Sequence, residues 1–378
     1  MASSTEDNMA VNVKPVQLQL SAVVFAISAF LIIQIGSFLI WELFVDPKHG
    51  FWKFYPQPFG VYLFWGILVV VFLGFNCGMS GFSRLGQPKC GLISTILTVI
   101  LSFGIPALLI YGYGMMDPAF SPVKNAGHGA AGLIVLIGFF GFGVLPTGMG
   151  GWPWSDAGLE QPLAGIAQIF VGFLLTTVGY VLLIYPNLAS WTAPDRVLMS
   201  LPTSIGWYYS VIVAWLTTFL ILDNWPWSAF GSRARVALAS FFGNFLLGTL
   251  IYYAFLAMLK SFLIPAEALA KIAAAINLWP AQLGVWIAFW LIFWPNVAGN
   301  PPTSLDPHVN RLVRFVFTWG LGILSFLVYM HWFAVKVLHE AEIVPGFGGD
   351  PLTWVDLLNY VMLIYAVYFG FYPLTKKE

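Results

Sequence analysis

The chain has 378 residues, of which 59% are hydrophobic and only 8% charged. A soluble domain carries about 25% charged residues and needs a polar surface, so a water-soluble globule is excluded. Sixteen basic and sixteen acidic residues balance to zero net charge, with no basic run, which excludes a nucleic-acid partner. The 17 Trp, 15 Tyr and 34 Phe suit a protein in contact with lipid, because Trp and Tyr favour the bilayer interfaces.

Met1 to Val13 is polar and includes Glu6 and Asp7. The first apolar run is too long for the core of a cleavable signal peptide, so it reads as a membrane helix that stays. Ten apolar runs are long enough to span, given about 20 residues per crossing. They cover roughly 16–44, 59–76, 91–114, 129–147, 163–186, 204–223, 236–263, 281–299, 310–335 and 354–373. The joins are short and rich in Pro, Gly and Trp, and none is long enough to be a soluble domain.

These runs repeat. Pro15, Pro88, Pro162 and Pro307 each open an odd-numbered run, and Ala234 takes that place in the fourth unit; the steps are 73, 74, 72 and 73 residues. Proline fits the first turn of a helix, where its missing N–H costs nothing. The even-numbered runs end on Trp152-Pro153, Trp225-Pro226, Trp294-Pro295 and Tyr372-Pro373. The expected fold is an all-α integral membrane protein, with ten transmembrane helices in five tandem two-helix hairpin repeats of about 73 residues. Its predicted divisions are an N-terminal tail at 1–14, a single membrane domain at 15–375 and a C-terminal end at 376–378.

Lys and Arg set the expected orientation. Lys14, Arg84, Lys89, Arg233, Arg235, Arg311, Arg314, Lys376 and Lys377 fall on the side of the N-terminus, against Lys48, Lys53, Lys124, Arg196, Lys260, Lys271 and Lys336 on the other. Nine against seven places both termini in the cytoplasm of a multi-pass plasma (inner) membrane protein. On the opposite side, 265–277 reads as a short surface helix, and 46–58 as an aromatic, basic interface segment.

Alignment of the repeats puts Ser21, Ser94, Gln168 and Ser240 at one depth, with Val313 in the fifth unit. Six residues past each start is about 9 Å into the helix. One reading is a polar ring lining a solute path, with Asn244 and His331 as further lining candidates. The other is that small polar residues hold neighbouring helices together. Trp152, Trp154, Trp225 and Trp227, with Arg233 and Arg235, form a candidate junction, as a gate or a docking face, on the N-terminal side. Interface anchoring by Trp, helix termination by Pro and the positive-inside rule explain the same residues structurally.

Ionisable residues deep in a membrane are usually functional. Glu42, Asp223, Lys260, Lys336 and Asp356 all fall near predicted ends, and Gln34 and Asn359 are uncharged. His331 and His339 are eight apart, about 80° around a helix, so no shared metal is expected. Cys77 and Cys90 lie thirteen apart without a CxxC and read as unpaired. Gly127-His128-Gly129-Ala130-Ala131-Gly132 matches G-x-G-x-x-G but lacks the βαβ context of a dinucleotide site, so close helix packing explains it better. HExxH and P-loop motifs are absent. No catalytic residue, cofactor or metal site is expected.

The function that follows is a transporter or channel for a small solute, in contact with membrane lipid. The alternative is a structural or anchoring subunit held among other membrane proteins. An intramembrane enzyme ranks last, for want of a catalytic set.

Overall fold

The computed structural model describes residues 17–52, 54–190, 192 and 196–376. Lys14, Pro15, Lys53, Lys377 and the tail at 1–14 lie outside the described residues. Among the described residues, ten helices are long and apolar enough to cross a membrane, and the chain is a multi-pass, all-helical membrane protein. They are α1 (Ala22–Val45), α2 (Phe59–Asn76), α3 (Lys89–Met115), α4 (Ala126–Gly143), α5 (Leu163–Leu183), α6 (Leu201–Ile221), α7 (Arg233–Leu263), α8 (Ala273–Ala298), α9 (Pro307–Lys336) and α10 (Pro351–Tyr368). Pro307 and Pro351 occupy the first turns of α9 and α10, as proline's fixed φ favours. The predicted surface helix is shorter than expected. It covers Ala266–Lys271, and the next turn, Ala273–Leu278, already leads into α8.

The helices form two concentric layers. The apolar windows of α2, α4, α6, α8 and α10 are between 56% and 78% buried, and those of α1, α3, α5, α7 and α9 between 22% and 33%. The even helices pack in the order α2–α4–α6–α8–α10 and back to α2, which closes a ring of five. Each odd helix packs outside the ring, mainly on the even helix before it in the chain: α3 on α2, α5 on α4, α7 on α6 and α9 on α8. α1 completes the set by packing on α10. The pairing read from the sequence, odd helix with the even helix that follows, is therefore not the dominant packing.

A stripe at every fourth residue turns each outer helix inward. The buried residues are Ser94, Thr98, Ser102 and Pro106 on α3, Gln168, Gly172, Thr176 and Tyr180 on α5, and Asn310, Arg314, Thr318 and Gly322 on α9. Small residues let backbones approach closely where lipid offers no hydrophobic drive for association. Gly248 of α7 is the tightest such contact with backbone on α6, since a Cβ there would lie 2.5 Å from Val211 Cα and 2.8 Å from Val211 N. Gly248→Ala is expected to cost about 1–3 kcal/mol through overpacking, seen as a lower thermal unfolding midpoint in detergent. An unchanged midpoint would contradict this close crossing.

All five inner helices end alike. Two consecutive left-handed residues follow each one: Gly78-Met79, Gly150-Gly151, Asp223-Asn224, Gly299-Asn300 and Gly370-Phe371. The second of each pair donates its N–H to the carbonyl six residues back, at Leu73, Leu145, Thr218, Trp294 and Tyr365, over 2.7–3.0 Å. This wide turn satisfies carbonyls that a helix end leaves without partners. The endings recur at close to the spacing of the sequence repeat.

The ring has one seam, where the first and last helices meet without a covalent link. On the side of the termini, β1 (Leu18–Leu20) pairs in parallel with β4 (Leu374–Lys376). On the other side, the His339 ring meets the buried Asp46 carboxylate just past α1, Nδ1 to Oδ2 2.7 Å. The link from α9 to α10 folds back as a small hairpin of β2 (Glu342–Val344) and β3 (Phe347–Gly348).

Candidate functional site

The five inner helices enclose a cavity of about 300 Å³. Gln57, Gly129, Leu278 and Leu352 line it near the N-terminal ends of the ring helices. Ile67, Phe139, Ile212, Ile292 and Leu363 are the lining residues farthest along their helices, and all are apolar. Leu352 to Leu363 is eleven residues, or about 16 Å of helix.

The wall is almost wholly apolar, and its polar points are concentrated on α10. Leu352, Asp356, Asn359 and Leu363 all line the cavity. Their spacing of four, three and four residues puts them on one helical face. Asn359 Nδ2 lies 3.5 Å from Asp356 Oδ1 and acts as its donor. Asn359 Oδ1 is buried and has no hydrogen-bond partner. Asp356 thus lines the cavity beside Asn359, whose own amide oxygen is buried and unsatisfied. Tyr209 of α6 lines the same space.

A second group of acidic residues stands beside the shallow end. Glu340 is buried and accepts hydrogen bonds from the Tyr329 hydroxyl (2.8 Å to Oε1) and from the Asp350 backbone N–H. Asp350 in turn accepts from Gln282 Nε2 (3.2 Å) and from the Thr353 hydroxyl (2.8 Å). Burial, reinforced by the neighbouring Asp350 carboxylate, pushes the Glu340 carboxyl well above the usual range. Burial likewise raises the Tyr55 phenol, with Asp350 and Glu340 adding to the effect.

None of the path-lining candidates read from the sequence lines this cavity. Ser94, Gln168, Ser240 and Asn244 belong to outer helices and are buried against the ring. Gln168 Oε1 accepts from Asn76 Nδ2 of α2 at 3.2 Å, and Asn244 Oδ1 accepts from the Thr218 hydroxyl of α6 at 3.1 Å. Ser240 faces Gly148. Ser21 is exposed at the start of α1. In the fifth outer helix the inward position is Arg314, one residue past Val313; it bonds the Pro302 carbonyl at 2.7 Å and reaches Asp223 at 3.5 Å. In the structure, Gln168, Asn244 and Ser240 thus each touch a neighbouring helix or its end. His331 is exposed near the end of α9, with its ring against Phe347.

The candidate gate residues lie apart from the cavity. Trp152 and Trp154 are half-buried in the turn after α4. The Trp227 ring packs where a side chain at Gly243 would stand, and its Nε1 bonds Asn244 at 3.3 Å. Trp225 is exposed and borders a surface hollow with His308 and Arg311. Arg233 pairs with Asp156 at 2.7 Å, and Arg235 is exposed. Cys77 and Cys90 are free thiols. At the glycine-rich start of α4, a Cβ on Gly127 would run into the Phe120 carbonyl, while Gly129 and Gly132 border the cavity.

Sequence reasoning missed Asp356 because the tenth run was started at 354, which left the carboxylate at a helix end. The helix begins at Pro351 and sets Asp356 in its second turn. The available signal was Pro351 itself, a helix-opening proline after Gly349-Asp350.

No protein-family model matches the chain, and no solved structure does. A stretch of 119 residues is 30% identical to the Na(+)/H(+) antiporter NhaA of Tolumonas auensis, covering 32% of this chain and 26% of that protein. The chain thus spans about a quarter of the length of the curated relative it matches.

Proposed function

We propose that the chain carries a small solute through the centre of its five-helix ring, with Asp356 and Asn359 as the polar contact on the way. The observation that carries this reading is a central, largely apolar cavity lined by one carboxyl residue, Asp356, with Asn359, Tyr209 and Gln57 as the other polar residues of its wall. Such a site favours a solute that brings hydrogen-bond donors and no negative charge, such as a monovalent cation or a small neutral amide. The Asp350 carboxylate disfavours anions on approach. The lining farthest along the helices is apolar, so a solute passing that way leaves its polar contacts behind. The partial similarity to an antiporter supports a transporter for a small ion. The positive-inside bias supports a plasma-membrane protein with both termini in the cytoplasm, which puts the shallow end of the cavity outside.

The test is flux into liposomes holding the purified chain, under gradients of ammonium, sodium, urea and chloride. Faster uptake of at least one of the first three than in protein-free liposomes is expected, with chloride unchanged. Rates equal to protein-free liposomes for all four would sink the transport reading. Stoichiometric co-purifying membrane proteins would then point to the anchoring-subunit alternative.

A further inference from the structure

Four metal-ligating side chains from distant parts of the chain meet at the outer seam of the ring. Glu42 lies in the last turns of α1, and Asp46 and His49 in the turn that follows. His339 comes from beyond the end of α9. One ligand atom from each lies within 4.8 Å of all the others. His49 Nδ1 is 3.6 Å from Glu42 Oε2 and 3.9 Å from Asp46 Oδ1. The two imidazole rings stand edge to face, with centroids 4.7 Å apart.

The surroundings hold these groups in place. Asp46 has no exposed side-chain surface, and its Oδ1 accepts the backbone N–H groups of Lys48 (2.7 Å) and His49 (2.6 Å). The Gly50 N–H bonds the Asp46 carbonyl at 2.9 Å, in a turn too tight for a Cβ at Gly50. His339 adopts a left-handed backbone with φ of 56°, a conformation that costs a non-glycine residue energy and here aims its ring at Asp46.

We propose that Glu42, Asp46, His49 and His339 bind one divalent transition-metal ion of the zinc type. Two carboxylates and two neutral imidazoles are a complete tetrahedral set for such an ion, and imidazole selects it over magnesium or calcium, which take oxygen. The charges balance: two carboxylates neutralise a doubly charged ion, which suits a site at a membrane boundary. The ion takes the place of the proton between His339 and Asp46. It ties the end of α1 to the chain leaving α9, across the seam that β1 and β4 close on the other side. The outer closure of the ring is then metal-dependent.

The experiment uses the full chain, purified in detergent and stripped with a chelator. After zinc loading and desalting, elemental analysis is expected to give one zinc per chain, and zinc to raise the thermal unfolding midpoint. His49→Gln and His339→Gln are each expected to weaken zinc binding at least about tenfold, as loss of a ligand should exceed loss of a supporting group. His49 is half-exposed, and its replacement leaves the Asp46–His339 contact intact, so His49→Gln keeps the test valid if His339→Gln fails to fold. Substoichiometric zinc in the wild-type chain, or equal zinc binding by wild type and His49→Gln, overturns the assignment. Both readouts are independent of solute flux.

Discussion

Asp356→Leu is expected to suppress solute flux by about 10- to 150-fold, the equivalent of a charge-assisted hydrogen bond worth about 1.5–3 kcal/mol. The physical reason is the scarcity of alternatives. The cavity wall is mostly apolar, and Asp356 is the one carboxyl residue among its lining residues; on the proposed path it replaces the water a solute loses. A donor that leaves water without a new partner pays the full desolvation cost. Leucine removes the acceptor and nearly conserves volume, so the fold should hold. Asp356 has no cationic partner among the described ion pairs, and its one hydrogen bond, from Asn359, is long at 3.5 Å, so little is lost with it. Asp356→Asn keeps an acceptor without its charge and should fall between leucine and wild type for a cation, and close to wild type for a neutral amide. The measurement is uptake per reconstituted protein, with the unfolding midpoint as control. Wild-type flux in the leucine variant, at an unchanged midpoint, would show that the solute does not use this cavity.

The second large effect falls on stability. Glu340→Ala should destabilise the chain by about 3 kcal/mol, because two buried donors lose their acceptor at once and each stranded group costs about 1–3 kcal/mol. Those donors are the Tyr329 hydroxyl and the Asp350 N–H. Tyr329 is fully buried against Trp286 and Phe333, so water cannot take the carboxyl's place. Glu340→Gln retains an acceptor oxygen and should cost much less. Thermal unfolding of the three proteins side by side reads the difference. If alanine and glutamine variants melt together, the hydrogen bonds at Glu340 are not what holds the link between α9 and α10.

The membrane class and the ten crossings were legible because both rest on composition. Twenty or so consecutive apolar residues have one comfortable solvent, whatever lies around them. Helix ends were also largely legible, through the prolines at Pro88, Pro162 and Pro307 and the aromatic-proline pairs that follow α4, α6 and α10; Trp294-Pro295, read as a stop as well, lies instead within the last turns of α8. Where that local signal was overlooked, at Pro351, the reading misplaced Asp356 by enough to hide the site. The polar layer was recognised, and its two readings were stated, but the choice between lining and contact needed the neighbours of Gln168 and Asn244.

Which helices form the ring was decided by tertiary structure alone. In water, an apolar face must be buried, so periodicity points to the core. In lipid, both the inner and the outer faces are apolar, so that compass is lost. The remaining signal is the four-residue stripe of small and polar residues on most outer helices, which marks contact without saying with which partner. The seam cluster was beyond the sequence for a different reason. Asp46 and His339 are 293 residues apart, and no local spacing connects them. They meet because the ring closes, bringing the first helix against the last.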